Sequence, residues 1–241
     1  MDDVVATSQK TAGYLDRPAH VVMHGIDTRQ FSPPENRAAL RERLGLPDGF
    51  LIGCYGRVRH QKGTDVFVEA LVEILPHHPD LIGIVMGRAT EAHEKFLDNL
   101  KAQVSTAGLA ERILFLPEVP VSEMAAWYQA LDLYVAPQRW EGFGLTPLEA
   151  MACGVPVVAG RVGAFDELIV DGETGAMVNA GGASEFAGAI ETILGDREAL
   201  GRMGAAARRH VEKHFTIETE AAALVRIYRN LLATRTGRAD D

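Results

Sequence analysis

The chain has 241 residues, a formal net charge of −9, 47% hydrophobic residues and 24% charged residues. This composition excludes disordered, collagenous and coiled-coil proteins, and the acidic balance argues against nucleic acid as a partner. The apolar runs are far shorter than the ~20 residues of a membrane helix, and the acidic start Met1-Asp2-Asp3 is unlike a signal peptide.

Seven short apolar runs are predicted strands: residues 4–6, 20–23, 50–55, 81–86, 113–116, 133–136 and 155–159. Most of them are continuous rather than alternating, which is typical of strands buried on both faces of a parallel sheet. Amphipathic helical patterns lie between them at residues 64–75, 92–107, 122–130 and 146–153. This alternation predicts an α/β fold with a doubly wound, Rossmann-like parallel sheet.

The chain is predicted to divide into three parts: residues 1–30 with one strand–helix–strand unit, residues 31–215, and a final helix in residues 216–241. Within the second part, the main domain is expected at about residues 45–195. Residues 184–235 show an almost continuous helical pattern, with predicted breaks near Gly195, Gly204 and Phe215-Thr216. The last helix has one apolar stripe, and the polar tail 234–241 is expected to fray.

A first candidate site is the basic segment 56–63, which follows a predicted strand and opens a helix. It contains Arg57, Arg59 and Lys62 and no acidic residue. Glycine turns between the end of a strand and a helix N-terminus suit an anion, and Arg and Lys suit phosphate oxygens. A solvated basic turn is the alternative interpretation. The segment matches neither a P-loop nor a dinucleotide fingerprint.

A second candidate site, residues 139–150, also follows a predicted strand. Gly142 and Gly144 would allow a ligand to approach the backbone closely, and the free N–H groups of the following helix would face an anion. Glu141 and Glu149 are carboxylates near these turns, where they suit sugar hydroxyls. For Glu149, a structural acid near a helix start is the alternative interpretation.

Other candidates for chemistry are weaker. No Asp-x-Asp pair is present, and the pair His210 and His214 has no third ligand nearby in the sequence, so we interpret it as part of a solvated helix face. Cys54 and Cys153 lie in apolar strings and are predicted to be buried free thiols of a reducing compartment. No metal and no cofactor are expected.

Residues 141–158 resemble the signature of the family 4 (group 1) retaining glycosyltransferases, in which two glutamates stand eight positions apart, as Glu141 and Glu149 do here. The pairs Gly56-Arg57 and Lys62-Gly63 resemble the phosphate-binding segment of that family, and residues 24–27 resemble its interdomain connector. The resemblance covers essentially the whole chain.

The resemblance implies a GT-B enzyme, in which two Rossmann-like domains face a cleft. This chain would be the C-terminal, donor-binding domain with a remnant of the N-terminal acceptor domain, and the absent domain would be its partner. The implied activity is transfer of a sugar from a nucleotide-diphosphate donor, with retention, to a glycan or lipid-linked acceptor. No metal is required, because two fixed cations replace it.

The resemblance also assigns roles to single residues. Arg57 and Lys62 would hold the diphosphate, and Glu141 would lie near the transferred sugar, so these three are the implied catalytic residues. The implied donor-binding residues are Gly56, Gly87, Arg88, Pro117, Val119, Phe143, Gly144, Leu145, Thr146 and Glu149. Many relatives have Gly-Asp-Gly where this chain has Gly87-Arg88, so the base of the nucleotide stays open.

Residues 23–27, 59–62 and 136–140 are also similar to bacterial lipopolysaccharide core mannosyltransferases. This similarity implies GDP-mannose as the donor and a cytoplasmic location, peripheral at the inner face of the membrane. Two alternatives stay open: a nucleotide-sugar epimerase of the same architecture, and a non-catalytic nucleotide-sugar-binding module. Apolar surface on residues 1–30 and on the last helix is expected to make the chain self-associate.

Overall fold

The computed structural model describes residues 3–179 and 181–236, without the side chains of residues 234–236. Most of the predicted frayed tail therefore lies outside the described residues. These residues form eight strands: β1 (Val5–Ala6), β2 (His20–Val21), β3 (Phe50–Tyr55), β4 (Leu81–Met86), β5 (Ile113–Leu116), β6 (Leu133–Ala136), β7 (Val157–Gly160) and β8 (Gly175–Val178). The first two form a small parallel sheet, and the other six form a larger one.

The larger sheet has the strand order β5-β4-β3-β6-β7-β8, and all of its neighbouring strands are parallel. Every residue of β3, β4, β6 and β7 is buried, which explains why these segments are continuous apolar runs. The predicted parallel α/β sheet is thus confirmed.

In the described part of the chain, ten α-helices accompany the strands: α1 (Gln9–Ala12), α2 (Arg37–Arg43), α3 (Thr64–Ile74), α4 (Glu94–Thr106), α5 (Met124–Gln129), α6 (Leu145–Ala152), α7 (Phe165–Leu168), α8 (Ala183–Leu194), α9 (Arg197–His214) and α10 (Ile217–Thr236). Apolar residues of α3, α4 and α8 form the core on one face of the large sheet. Residues of α5, α6, α7 and α9 form the core on the other face. Helices on both faces make the sheet doubly wound, as predicted.

Four features differ from the sequence-based predictions. The strand β8 and the helices α2 and α7 are additional elements that the sequence patterns did not indicate. The predicted break at Gly204 is wrong, because α9 continues through this residue. Gly204 instead allows close packing, since a Cβ atom there would lie 2.2 Å from the carbonyl oxygen of Gly154.

The predicted division of the chain at residues 30 and 215 stays a prediction. Ile26 and Phe31, on either side of the first boundary, are buried in the same core. Ile26 also pairs with the segment between α9 and α10, where its N–H group donates to the carbonyl oxygen of Phe215 at 2.8 Å. The connector is therefore held against the C-terminal helices.

Candidate functional site

The large sheet has one point where the strand order reverses. From β3 the chain proceeds outward to β4 and β5, and from β6 it proceeds outward in the opposite direction to β7 and β8. In doubly wound folds, ligands bind outside the carboxyl ends of the strands at such a point. Both candidate segments of the sequence, 56–63 and 139–150, leave the sheet here, after β3 and β6.

A pocket of about 190 Å³ opens at this edge. Seven of the predicted site residues line it: Gly56, Arg57, Gly87, Arg88, Val119, Thr146 and Glu149. Five further residues also line it: Tyr55, Met86, Glu118, Met124 and Tyr128. The pocket thus combines an apolar wall with charged groups of both signs.

Two glycines shape the base of this pocket at the ends of β3 and β4. Gly56 has a φ of 135° and Gly87 a φ of 148°, which L side chains rarely adopt. A Cβ atom on Gly87 would lie 1.9 Å from the carbonyl oxygen of Gly56. Any larger residue at Gly87 would therefore push the two strand ends apart.

Glu149 lies in α6, and its carboxylate accepts a hydrogen bond from a buried tyrosine. The hydroxyl group of Tyr128 donates a hydrogen bond of 2.7 Å to Oε2 of Glu149. Burial raises the pKa of Glu149, while this hydrogen bond acts in the opposite direction. Within the described residues, Oε1 accepts no hydrogen bond, so it is available to a ligand hydroxyl.

Tyr128 belongs to a cluster of three buried tyrosines beneath the pocket. Its ring centroid lies 5.2 Å from that of Tyr55 and 5.5 Å from that of Tyr134. Burial raises the pKa of Tyr128 well above its ordinary value, so the hydroxyl keeps its proton and donates to Glu149. The sequence pattern identified Tyr128 only as part of an amphipathic helix.

Lys62 and Glu141 contact each other outside the pocket lining. Their atoms Nζ and Oε2 are 2.5 Å apart, and both side chains are largely buried. Oε1 of Glu141 accepts from the N–H group of Gly142 at 3.1 Å. The structure thus brings two of the three implied catalytic residues into one ion pair, while the third, Arg57, is exposed at the pocket.

The turn that carries Lys62 is fixed by the loop that follows β6. Gly63 has a φ of 69°, and a Cβ atom there would lie 1.9 Å from the carbonyl oxygen of Pro137. The guanidinium group of Arg139 forms two hydrogen bonds, of 2.7 and 2.9 Å, with the carboxylate of Asp65. These contacts hold the two candidate segments together.

Three further predicted site residues, Phe143, Gly144 and Leu145, lie in different surroundings. Gly144 precedes α6, and a Cβ atom there would lie 2.2 Å from the ring of Phe165. Phe143 is buried with its ring 5.1 Å from that of His24, whereas Leu145 is 43% exposed at the start of α6. These three residues flank the site without lining the pocket.

Pro117 does not line this pocket, and its role as a donor-binding residue stays a prediction. It lies in a separate cavity of about 260 Å³, with Leu97 and Lys101 among the lining residues. The next residue, Glu118, lines the candidate site instead.

The pair His210 and His214 is only partly as predicted. His214 is exposed, but His210 is half-buried, and its ring centroid lies 5.3 Å from that of Phe215. Burial lowers the pKa of His210. The residues that the structure describes contain no group of three or more His, Cys, Asp or Glu side chains arranged for a metal ion. Cys54 and Cys153 are buried free thiols, as predicted.

Comparison with known families assigns the chain to a class. Residues 36–210 match the sequence model of the family described as "Glycosyl transferases group 1". The chain therefore belongs to the group 1 glycosyltransferases, in agreement with the resemblance carried by Glu141 and Glu149.

The chain is similar in sequence to two curated members of this family. It is 50% identical over 235 residues to the lipopolysaccharide core biosynthesis mannosyltransferase LpsB of Rhizobium meliloti, covering 96% of this chain and 66% of LpsB. It is 34% identical over 211 residues to a GDP-mannose-dependent alpha-(1-6)-phosphatidylinositol monomannoside mannosyltransferase of Mycolicibacterium smegmatis, covering 84% of this chain and 54% of that protein. The chain thus spans just under two thirds of the length of LpsB.

A solved structure supports the same placement. The C-terminal domain of the group 1 glycosyltransferase LpcC from Francisella tularensis superposes with a TM-score of 0.77 at 34% identity, covering 80% of this chain and all of that chain. The predicted fold, a GT-B C-terminal domain, is confirmed. Among residues 3–179 and 181–236, no helix is long and apolar enough to cross a membrane.

Proposed function

We propose that the chain carries the donor site of a retaining glycosyltransferase, which transfers mannose from GDP-mannose to a lipopolysaccharide core or another glycan acceptor. The observation that carries this proposal is the pocket at the strand-order reversal, where Arg57 and the carboxylate of Glu149 flank an apolar wall. A nucleoside diphosphate has matching parts: anionic phosphates, ribose hydroxyls and a flat base. The mannosyltransferase names of the two curated relatives support mannose as the sugar.

In this reaction the bond between the sugar and the diphosphate breaks, and the phosphate oxygen keeps the electron pair. The acceptor hydroxyl gives its proton to the departing phosphate oxygen and bonds to the same sugar carbon, on the same face. Arg57, Lys62 and the free N–H groups at the start of α6 would stabilise the growing phosphate charge. Oε1 of Glu149 would accept hydrogen bonds from the ribose.

In the ligand-free site, Lys62 and Glu141 form an ion pair, which donor binding would have to break. The Lys62 ammonium is neutralised by Glu141 at 2.5 Å. An arriving diphosphate would compete for this cation, leaving the Glu141 carboxylate beside the transferred sugar. Gly142, Phe143, Gly144 and Leu145 would present backbone groups to the sugar and phosphate. We place the reaction at the inner face of the cytoplasmic membrane, as the family resemblance implies.

Thermal unfolding with added nucleotides tests this proposal. A ligand at a hundred times its dissociation constant stabilises a protein by roughly 2.7 kcal/mol, so GDP and GDP-mannose should raise the Tm clearly. Lys62→Ala should reduce this increase, because one phosphate-binding cation is lost. Lys95→Ala, at an exposed position in α4, is the matched control and should leave it unchanged.

The outcomes separate the parts of the proposal. An increase with UDP and UDP-glucose only would contradict GDP-mannose as the donor but keep the donor site. No increase with GDP, UDP, ADP or their sugar conjugates at saturating concentration would contradict the donor site itself.

A further inference from the structure

The glycine loop, residues 141–144, is contacted by the first elements of the chain. Oγ1 of Thr11, in α1, lies 3.5 Å from the carbonyl oxygen of Gly142. The ring of His24, which follows β2, stands edge-on to the ring of Phe143 with 5.1 Å between the centroids. An N-terminal unit, made of β1, α1, β2 and the residues up to His24, therefore touches two successive residues of the loop.

Glu167 of α7 holds α1 in this position. Its Oε2 atom accepts from the N–H group of Gln9 and its Oε1 atom from that of Lys10, both at 2.9 Å. The hydroxyl oxygen of Ser8 accepts from the N–H group of Thr11, also at 2.9 Å. The two side chains thus bind three N–H groups that have no partner within the helix. The place of Thr11 beside the loop therefore depends on Glu167.

Glu220 of α10 holds the other end of the unit. Its Oε2 atom accepts from the N–H group of Gly25 at 2.8 Å, and its Oε1 atom lies 2.9 Å from Nδ1 of His24. Because a carboxylate accepts hydrogen bonds, Nδ1 is the donor in this contact. A Cβ atom on Gly25 would lie 2.2 Å from the carbonyl oxygen of Thr216, so the backbone here is packed tightly against the start of α10. Glu220 thereby fixes the ring of His24 against Phe143.

We propose that the N-terminal unit positions the glycine loop for the donor sugar, and that Glu167 and Glu220 are the positioning residues that hold the unit in place. This inference rests on the proposed function, which puts the transferred sugar beside Glu141. On the predicted division of the chain, the unit belongs to the acceptor domain. The acceptor side of the enzyme would then set the geometry of the donor-sugar site.

The middle of the glycine loop is the part that needs these contacts. At its start, a Cβ atom on Gly163 would lie 1.9 Å from the carbonyl oxygen of Glu141, and Phe165 of α7 packs against its end. Around Gly142 there is space, since the nearest atom to a Cβ atom there would be 3.9 Å away, in Trp140. Packing does not require this glycine, which gives the backbone freedom and lets a ligand approach closely. Contacts from the N-terminal unit restrict that freedom.

Calorimetric titration with GDP and GDP-mannose tests the inference, because only GDP-mannose carries the sugar. Glu167→Ala and Glu220→Ala should each raise the Kd of GDP-mannose about fivefold or more and leave the Kd of GDP nearly unchanged. Glu167→Gln and Glu220→Gln keep one acceptor oxygen and should have intermediate effects. A merely structural role would lower the Tm without separating the two ligands.

Amide hydrogen exchange of the ligand-free chain gives a second readout that needs no nucleotide. Peptides that cover residues 141–144 should exchange faster in both alanine variants than in wild type. Glu173→Ala and Glu218→Ala are the matched controls, because these exposed carboxylates lie just after α7 and in the first turn of α10. Both controls should match wild type in exchange and in nucleotide binding.

The outcomes distinguish the inference from the proposed function. Unchanged exchange of the loop in the alanine variants, unchanged affinity for GDP-mannose, or equal losses for GDP and GDP-mannose would overturn the inference while keeping a nucleotide site. If wild type binds neither nucleotide, the proposed function is contradicted, and with it a role of the N-terminal unit in positioning a donor sugar.

Discussion

The carboxyl group of Glu149 lies in surroundings that favour its neutral form. Its burial beside the tyrosine cluster disfavours the ionised form, and one hydrogen bond from Tyr128 offsets this only in part, since the net effect is a raised pKa. An ionised carboxylate is nevertheless the better acceptor for ribose hydroxyls. On the proposed assignment, a carboxylate at this position therefore favours ligand binding at a cost to the stability of the fold.

This conflict predicts a pH-dependent effect of Glu149→Gln. The pKa of Glu149 is higher in the folded than in the unfolded state, so ionisation lowers the stability of the wild type at pH values above the folded pKa. The penalty shrinks as the pH falls through that pKa and is gone below the ordinary value of 4.5. At pH 7, Glu149→Gln should therefore unfold at a higher urea concentration than wild type, and the difference should vanish in acid.

Urea unfolding at several pH values checks this, with Glu111→Gln, an exposed carboxylate, as the control without a pH-dependent effect. A lower midpoint for Glu149→Gln at pH 7 would show that the carboxylate stabilises the fold instead. The same variant should show a smaller increase in Tm with GDP, since an amide accepts hydrogen bonds from ribose less strongly.

At the scale of elements, Arg208 of α9 joins three parts of the chain. Its Nη1 atom donates to the carbonyl oxygens of Phe31 and Ala152 at 2.5 and 2.6 Å, and Nη2 donates to that of Thr28 at 2.9 Å. Nε also donates to Glu212 in the same helix at 2.8 Å. One side chain thus holds the connector, the end of α6 and α9 in register.

Removing this guanidinium group should destabilise the chain strongly. Arg208→Met leaves three backbone carbonyl oxygens without their donor, and we expect a loss of about 3 kcal/mol in the free energy of unfolding. Arg209→Met changes the exposed neighbour in the same helix and should shift this free energy by less than about 0.5 kcal/mol. Urea unfolding followed by circular dichroism measures both; equal midpoints for the two variants would contradict the prediction.

The sequence predicted those elements whose own residues show a clear apolar pattern. The strands β3, β4 and β6 are continuous apolar runs because both of their faces are covered. By contrast, β8 contains Gly175 and two half-buried residues, so its pattern is weak without its neighbour β7. In the sequence, Gly204 resembles a helix break. The structure explains the glycine instead by the close approach of Gly154, which leaves no room for a side chain.

The residues of the candidate site can be divided in the same way, into those that a local sequence pattern marks and those that only packing explains. The sequence located Arg57, Lys62, Glu141 and Glu149 because glycine turns and motif spacing mark the ends of β3 and β6. It did not indicate Tyr128, since the side of a helix that faces a pocket depends on how neighbouring elements pack.

For the whole molecule, the distribution of exposed apolar side chains predicts association. Tyr14 near α1 is 69% exposed, and Val225 and Tyr228 of α10 are 44% and 59% exposed. Exposed apolar patches of this kind mark interaction surfaces. We expect the isolated chain to self-associate through α10, which light scattering over a range of concentrations would detect.

A double variant, Val225→Glu with Tyr228→Glu, should shift the chain towards the monomer. Val121→Glu is the control, because Val121 is 77% exposed but lies outside α10. A wild-type chain that stays monomeric at millimolar concentration would contradict the prediction.

The arrangement of the loops around the sheet also has a consequence for how such a sequence can diverge. On the assignment implied by the family resemblance, the residues near the base follow β4 and β5, while those for phosphate and sugar follow β3 and β6. The two sets lie on different loops on either side of one pocket. A descendant lineage could therefore acquire a new nucleotide preference through changes in two short loops, while the machinery of sugar transfer is inherited intact.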